Sequence, residues 1–294
     1  MTHKAGFVNI IGNPNVGKST LINVLVGEKL SIITSKMQTT RHRILGIANS
    51  NDFQIVYSDT PGIIRPHYKL QQFMLNFVNS ALRDADIILY LTDTVETWDK
   101  NKPYLNKLND INIPIILLIN KIDLVNTKVI KQLIIDWQVR LPNAKILPVS
   151  ALKNTNIDTL FTEIINLLPE CPPYFPKDQL TDKPEKFFVA EFIREQILLN
   201  YKKEIPYSVE IEVEEFKEEK DIIRIRSVIH VIRNSQKGII IGHKGNMLKK
   251  VGTEARKTTE SFFNKKVYLE LFVKVNKEWR DNEKKLKGFG YHKI

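Results

Sequence analysis

Eight consecutive residues, Gly12, Asn13, Pro14, Asn15, Val16, Gly17, Lys18 and Ser19, fit the phosphate-binding pattern G-x-x-x-x-G-K-[ST]. Glycines let the main chain curl around a phosphate so that its N–H groups point inward, at the positive end of a following helix. Lys18 is placed to reach β and γ phosphates, and the Ser19 hydroxyl to ligate Mg²⁺. The flanks are what such a loop needs. Phe7 to Ile11 is an apolar run that reads as a buried strand, and Thr20 to Val26 reads as the start of a helix. The chemistry is nucleotide-phosphate binding.

A second pattern chooses the base. Asn120, Lys121, Ile122 and Asp123 end the apolar run Ile113 to Ile119, which suits a central parallel strand. An ionised carboxylate only accepts hydrogen bonds, so Asp123 can take two from the N1–H and 2-amino edge of guanine. Adenine has no such donor pair, and a site built for those bonds rejects a base that leaves them unmade. Asp59, Thr60, Pro61 and Gly62 end the run Phe53 to Tyr57. There Asp59 would approach Mg²⁺ through water, and the Gly62 amide the γ-phosphate. Ser150, Ala151 and Leu152 end Lys145 to Val149 and would support the base through main-chain contacts. Each of the four patterns closes a candidate strand, where open α/β sheets bind their ligands.

These positions imply the elements that must carry them. Strands are predicted at about 6–11, 43–49, 53–58, 86–93, 113–119 and 145–149, and helices at about 18–27, 68–83, 101–110, 127–140 and 156–168. That alternation predicts an α/β, doubly wound, mostly parallel sheet, with the second strand antiparallel at an edge. Pro169, Pro172, Pro173, Pro176 and Pro184 then interrupt the pattern and predict a stiff interdomain linker. The expected divisions are 1–170, a linker at 171–185, and 186–294.

Composition narrows the class. A chain of 294 residues suits about two domains, each able to bury a core. No apolar run approaches the roughly 20 residues of a membrane-spanning helix. With the loop beginning at Gly12 no secretory leader is expected. One cysteine, Cys171, allows no intrachain disulfide and is consistent with a reducing cytoplasm, and the six histidines lack zinc-ligand spacing.

The last hundred residues read differently: a helix at about 186–202, strands at 208–217 and 221–232, two helices, and a strand at 266–275. Between an apolar strand end at Lys237 to Ile241 and a basic helix lies Gly242, His243, Lys244 and Gly245. A G-x-x-G turn in that setting matches the loop that KH domains clamp on a nucleic-acid backbone. Charge agrees. Residues 221–294 hold 18 Lys/Arg against 7 Asp/Glu, a net of +11; the whole chain is also +11, so residues 1–220 sum to zero. The expected partner is single-stranded RNA rather than DNA, with Lys244, Lys249, Lys250 and Arg256 joining the turn.

Together these residues resemble the Era family of GTPases. The resemblance rests on the loop at 12–19, Gln38 to His42, Asp59 to Gly62, Asn120 to Asp123 and Ser150 to Leu152. It continues through Lys237 to Gly245, Val251 to Arg256, Val267 to Val275 and Trp279. It implies a P-loop GTPase domain followed by a type II KH domain, GTP and GDP as ligands, and Mg²⁺. It also implies binding to the 3′ end of 16S ribosomal RNA, assistance to assembly of the small ribosomal subunit, and some association with the inner membrane surface of the cytoplasm. Asn13 departs from the arginine common after the first loop glycine, and Phe272 stands where tryptophan is frequent.

For hydrolysis, Lys18, Thr40 and Gly62 are the expected contributors. The residues after the D-x-x-G turn are Ile63 and Ile64, with no polar group to orient water, so slow turnover is expected. Water would be placed by main chain, by the segment around Thr39 and Thr40, or by something bound. Either threonine could ligate Mg²⁺, with Thr40 favoured. Asn15 could recruit K⁺ beside the phosphates or merely stabilise its loop. Two other functions fit less well. An RNA-binding assembly factor with incidental turnover would not need the complete set Lys18, Ser19, Asp59 and Asp123. A GTPase regulating tRNA modification or membrane events would not need the G-x-x-G turn.

Overall fold

The computed structural model describes residues 3–96 and 102–292. Residue 101, the predicted first residue of one helix, lies outside them. In chain order the first half contains β1 (Lys4–Gly12), α1 (Lys18–Val26), β2 (Ile44–Asn49), β3 (Phe53–Asp59), α2 (Lys69–Arg83), β4 (Ile87–Asp93), α3 (Lys102–Asn109), β5 (Ile115–Asn120), α4 (Thr127–Arg140), β6 (Lys145–Pro148) and α5 (Ile157–Leu167). The sheet order is β2-β3-β1-β4-β5-β6. β2 runs antiparallel to β3 at the edge, and the other pairings are parallel.

Strands buried on both faces explain the near-continuous apolar runs. Val8 and Ile10 point to one face, where Leu21, Ile22 and Leu25 of α1 and Leu160 and Ile164 of α5 cover them. Ile11 points to the other, with Val78, Leu105 and Trp137 from α2, α3 and α4. Asn9 is buried on that second face because its amide donates to the Ala81 carbonyl at 2.6 Å and to Asp84 at 2.8 Å. The layers converge on the C-terminal ends of β1, β3, β4 and β5.

The second half contains α6 (Glu185–Asn200), β7 (Glu210–Glu218), β8 (Ile222–Val231), α7 (Asn234–Ile241), α8 (Asn246–Phe263), β9 (Lys266–Val275) and α9 (Glu283–Gly288). β8 pairs antiparallel with β7 and parallel with β9, and α6 to α8 bury the apolar face of this sheet. One expectation is corrected here. Lys237 to Ile241 is the C-terminal part of α7, not a strand end. Three consecutive isoleucines look like a strand, but Gln236 accepts from the Arg233 amide at 3.1 Å in the first turn, and the Gly242 amide closes on the Gly238 carbonyl at 2.9 Å, the four-residue spacing of a helix.

The segment between the halves is not a free-standing spacer. It is laid along the first domain: Glu170 bridges to Lys4 and Thr181 to Gly46, and Gln54 accepts from the Tyr174 and Phe175 amides at 2.7 and 3.0 Å. Nor are the halves held apart. Leu70, Phe73, Met74 and Phe77 of α2 pack with Trp279, Leu286 and Tyr291, and Leu30 packs with Phe188 and Phe192. Burying each large side chain contributes about 1.5–3 kcal/mol, whereas the ion pairs across the same junction, Lys29 with the buried Glu195 and Arg41 with Glu210, give back much of their attraction in desolvation. The apolar contacts therefore dominate this junction.

Candidate nucleotide site and nucleic-acid interface

β1 delivers the chain into the 12–17 loop with Gly12 at φ +153° and Gly17 at φ +102°. Neither position admits a side chain. A Cβ on Gly12 would lie 2.1 Å from the Leu91 carbonyl oxygen, and one on Gly17 would lie 2.3 Å from the Asn120 amide nitrogen. Lys18 is buried at the start of α1, and its ammonium donates to the Gly12 and Asn13 carbonyls at 3.1 and 2.8 Å. Burial pushes its pKa down to about 8. A buried ammonium whose hydrogen bonds all go to loop carbonyls, with Asp59 and Glu96 only near it, is a charge prepared for an anion.

Three oxygens gather beside it. Ser19 Oγ donates to Asp59 Oδ2 at 2.8 Å, Thr40 Oγ1 does so at 3.3 Å, and the two hydroxyls lie 2.9 Å apart. Asp59 is fully buried, its Oδ1 has no hydrogen-bond partner, and burial raises its pKa. A buried carboxylate oxygen with no donor, flanked by two hydroxyls, fits a hard divalent cation. Thr39 is turned elsewhere: its hydroxyl donates to the Lys36 carbonyl at 2.7 Å and meets Thr34 at 2.7 Å. Thr40 is the threonine that reaches Asp59.

Beyond Asp59, the Thr60 hydroxyl donates to the Ile10 carbonyl at 2.7 Å and the Ile63 amide to Gly12 at 3.1 Å. Pro61 and Gly62 are buried, and a Cβ on Gly62 would come within 2.7 Å of Pro14. The D-x-x-G turn thus lies directly on the phosphate loop.

The residues expected to read the base are tied to the same loop. Asn120 donates to the Val16 carbonyl at 2.8 Å and accepts from the Ala151 amide at 3.0 Å. Lys121 donates to the Asn15 carbonyl and to Asp93, each at 2.7 Å. Ser150 donates to Asp123 at 2.5 Å through its hydroxyl. A cavity of about 540 Å³ is lined by Pro14, Asn15, Gly17 to Thr20, Gln38 to Thr40, Gly62, Lys121, Asp123 and Ser150 to Leu152, among others. Asn13 and Val16 line an adjoining cavity instead, and Leu152 presents most of its side chain to solvent.

Two acidic residues escaped the sequence reading. Asp93, at the end of β4, orients Lys121. Glu96 accepts from Asn13 and from Thr92, the latter at 2.9 Å, and burial raises its pKa. The position of Asp93 at a strand's C-terminal end was the available signal.

In the second half, α7 ends at Gly242, whose φ of +72° and ψ of 179° is essentially a glycine-only conformation. A Cβ there would meet Met247 at 2.7 Å, whereas nothing lies within 4 Å of one on Gly245. His243 and Lys244 are exposed on the turn. A groove of about 380 Å³ continues from Gly245 along α8 and β9, lined by Leu248, Lys249, Gly252, Arg256, Leu269 and Leu271 among others. Arg256 also pairs with Glu260 at 2.7 Å, and Lys250 is exposed outside the groove lining. The apolar floor from Leu248, Leu269 and Leu271 was not read from the sequence.

Comparison with known proteins follows the same division. Residues 7–121 match the family of 50S ribosome-binding GTPases, and residues 204–280 match the KH domain. The chain is 46% identical to GTPase Era of Geotalea daltonii over 98% of its length and 97% of that protein. It is 42% identical to GTPase Era of Alkaliphilus metalliredigens over 99% of its length and 100% of that protein. A crystal structure of Era in complex with MgGDPNP and nucleotides 1506–1542 of 16S ribosomal RNA superposes with a TM-score of 0.94. It shares 40% identity and covers 98% of this chain and 99% of that one. A variant of Aquifex aeolicus Era bound to GDP·AlF4⁻ matches with the same score, identity and coverage.

Proposed function

The chain belongs to the Era family of GTPases, and from that premise we propose that it is a GTP-hydrolysing switch. Its KH domain binds the 3′ end of 16S ribosomal RNA and assists assembly of the small ribosomal subunit in the cytoplasm. The observation that carries the reading is the buried Lys18 ammonium on the wall of the cavity of about 540 Å³, hydrogen-bonded only to the Gly12 and Asn13 carbonyls and standing near a buried Asp59 whose Oδ1 has no hydrogen-bond partner.

In this reading Lys18 leaves the loop carbonyls for the β and γ phosphate oxygens, and the loop amides bind the rest of the phosphate chain. Ser19, Thr40 and Asp59 would hold Mg²⁺, which when bound neutralises charge on the phosphate oxygens. Water attacks the γ-phosphorus, the bond to the β–γ bridging oxygen breaks, and GDP and phosphate leave. Asp123, aligned by Ser150, reads guanine. Asn15 is held in the left-handed conformation with its side-chain amide donating to the Ser35 carbonyl at 3.0 Å. That contact stabilises the loop through the side-chain nitrogen, so K⁺ recruitment through the Asn15 side-chain oxygen rests on the salt-exchange test below.

The test joins both halves. The full chain is assayed for GTP hydrolysis, and for binding a labelled single strand matching the 16S 3′ end. Lys18→Ala should abolish turnover and spare RNA binding, whereas Gly245→Asp should do the reverse. The latter puts a carboxylate in open space at the groove, on a left-handed residue (φ +79°) of the kind aspartate tolerates better than most side chains. Hydrolysis surviving Lys18→Ala, or RNA affinity unchanged in Gly245→Asp, would overturn the respective half. For K⁺, exchange with Na⁺ should slow the native protein and leave Asn15→Ala almost unaffected; equal native rates in both salts would reject it.

A further inference from the structure

The segment that carries Thr40 is fastened at both ends to the KH half. At its start, the Lys36 ammonium donates to the main-chain carbonyls of Leu198 and Tyr201, where α6 ends. Carbonyls at a helix C-terminus lack intrahelical partners and carry partial negative charge, so they suit a cation. At its end, Arg41 is 3% exposed. Its Nη1 donates to the Val209 carbonyl at 2.7 Å and to Glu210 Oε2 at 3.1 Å, and its Nη2 to the Pro206 carbonyl at 3.1 Å. Glu210 also accepts from the Tyr291 hydroxyl at 2.9 Å, and the Tyr291 ring stacks on His42 at 4.2 Å.

Every acceptor named for these two cations lies beyond residue 197, in the KH half. Between them Thr39 closes a local turn on Lys36, Gln38 takes a hydrogen bond from Tyr68 at 3.3 Å, and Thr40 stands 3.3 Å from Asp59. The first domain alone supplies Thr40 with contacts to Ser19 and Asp59. The run of chain that brings Thr40 there is tied to the first domain by Gln38 and by Arg43, whose guanidinium meets Ser58 and Asp84, and to the KH half by Lys36 and Arg41. A buried arginine is held in place because removing one partner leaves a desolvated charge uncompensated.

We propose that Lys36 and Arg41 are positioning residues for GTP hydrolysis, through which the KH domain holds Thr40 at the metal-binding cluster. The proposal rests on the GTPase reading above and adds that the KH domain forms part of the apparatus that sets turnover. By linkage, occupancy of the nucleotide cavity is felt at the end of α6 and the start of β7.

The test uses the full chain and two independent variants. Lys36→Met keeps the stem and removes the donors; Glu210→Gln keeps the size and removes the charge opposite Arg41. Each should keep GTP affinity within about twofold at saturating Mg²⁺ while lowering kcat at least about tenfold, as small misplacements of reacting groups do. Each should also raise the Mg²⁺ concentration for half-maximal rate and speed amide hydrogen exchange across residues 37–41. Lys36→Arg, which restores the donors, should recover the native Mg²⁺ profile. A lowered melting temperature with unchanged kcat and Mg²⁺ requirement would mean that the contacts are only structural, and would overturn the proposal. Lys36 is partly exposed, so its variant carries the test if Glu210→Gln fails to fold. Absence of turnover in the unaltered chain would overturn the GTPase reading and this proposal together, whereas native turnover with unaltered variants overturns this proposal alone.

Discussion

Asn120 fills the space that a side chain on Gly17 would need: its amide nitrogen lies 2.3 Å from the site of a Cβ there, while it donates to the neighbouring Val16 carbonyl at 2.8 Å. Two motifs over a hundred residues apart in sequence thus form one wall. Gly17→Ala meets both this overlap and the positive φ, a backbone cost of about 1–3 kcal/mol before any clash. Nucleotide titration should show that loss or more. Adding Asn120→Ala should recover part of it, giving a less-than-additive double-mutant cycle. Strict additivity would mean that the two residues do not share the space.

Asp123→Asn should weaken GTP binding by roughly 3 kcal/mol or more, since two charge-assisted hydrogen bonds are lost. The same variant should gain affinity for xanthosine nucleotides, whose base presents a carbonyl where guanine has an amine. Titration with both nucleotides checks the exchange. Unchanged GTP affinity would remove Asp123 from the site.

Lys18 supplies a pH signature. Its folded pKa is lowered from 10.5 to about 8 by burial, so between those values the unfolded chain binds more protons. Stability of the nucleotide-free protein should therefore rise with pH across that window. Phosphates beside Lys18 favour its charged form, so GTP binding should take up a fraction of a proton near pH 8 and almost none about two units lower. Calorimetry in buffers of different ionisation enthalpy measures the uptake. Equal values at both pH values would mean that Lys18 is already charged before GTP arrives.

On the KH side, Lys244→Ala should weaken RNA binding similarly for all sequences and reduce the salt slope by about one, as loss of a phosphate contact does. Filter binding over a salt series reads this directly. A sequence-dependent loss with an unchanged slope would place Lys244 on a base. Gly242 is a poor probe, because its conformation and its contact with Met247 make any side chain there a folding defect.

The loop at 12–19, the strand ends and the gathering of Asn120, Asp123 and Ser150 beside that loop were legible because each is a short stretch whose types and spacing have one physical purpose. The apolar runs placed the strands of the first sheet within one to two residues because both of its faces are covered. Ile239 to Ile241 misled because a short β-branched run fits a strand or one side of a helix equally well. Arg41, His42, Trp279 and Tyr291 were opaque for another reason. Nothing local marks a charged residue for burial; only tertiary contact with Glu210 and the Pro206 and Val209 carbonyls does so. The proline-rich stretch announced that it would be irregular and said nothing of where it would lie.

Where it lies matters for solubility. β2 is the outermost strand of the large sheet, and such an edge is a template for pairing with another chain. Here the Ile47 amide donates to the Leu180 carbonyl at 2.8 Å, the Leu45 amide to Asp182 at 2.9 Å, and Gly46 bridges to Thr181. The connecting segment occupies the groups that a stray strand would use, and its prolines and charges cannot themselves extend the sheet. A GTPase domain cut off before residue 180 would expose those β2 groups as an open edge.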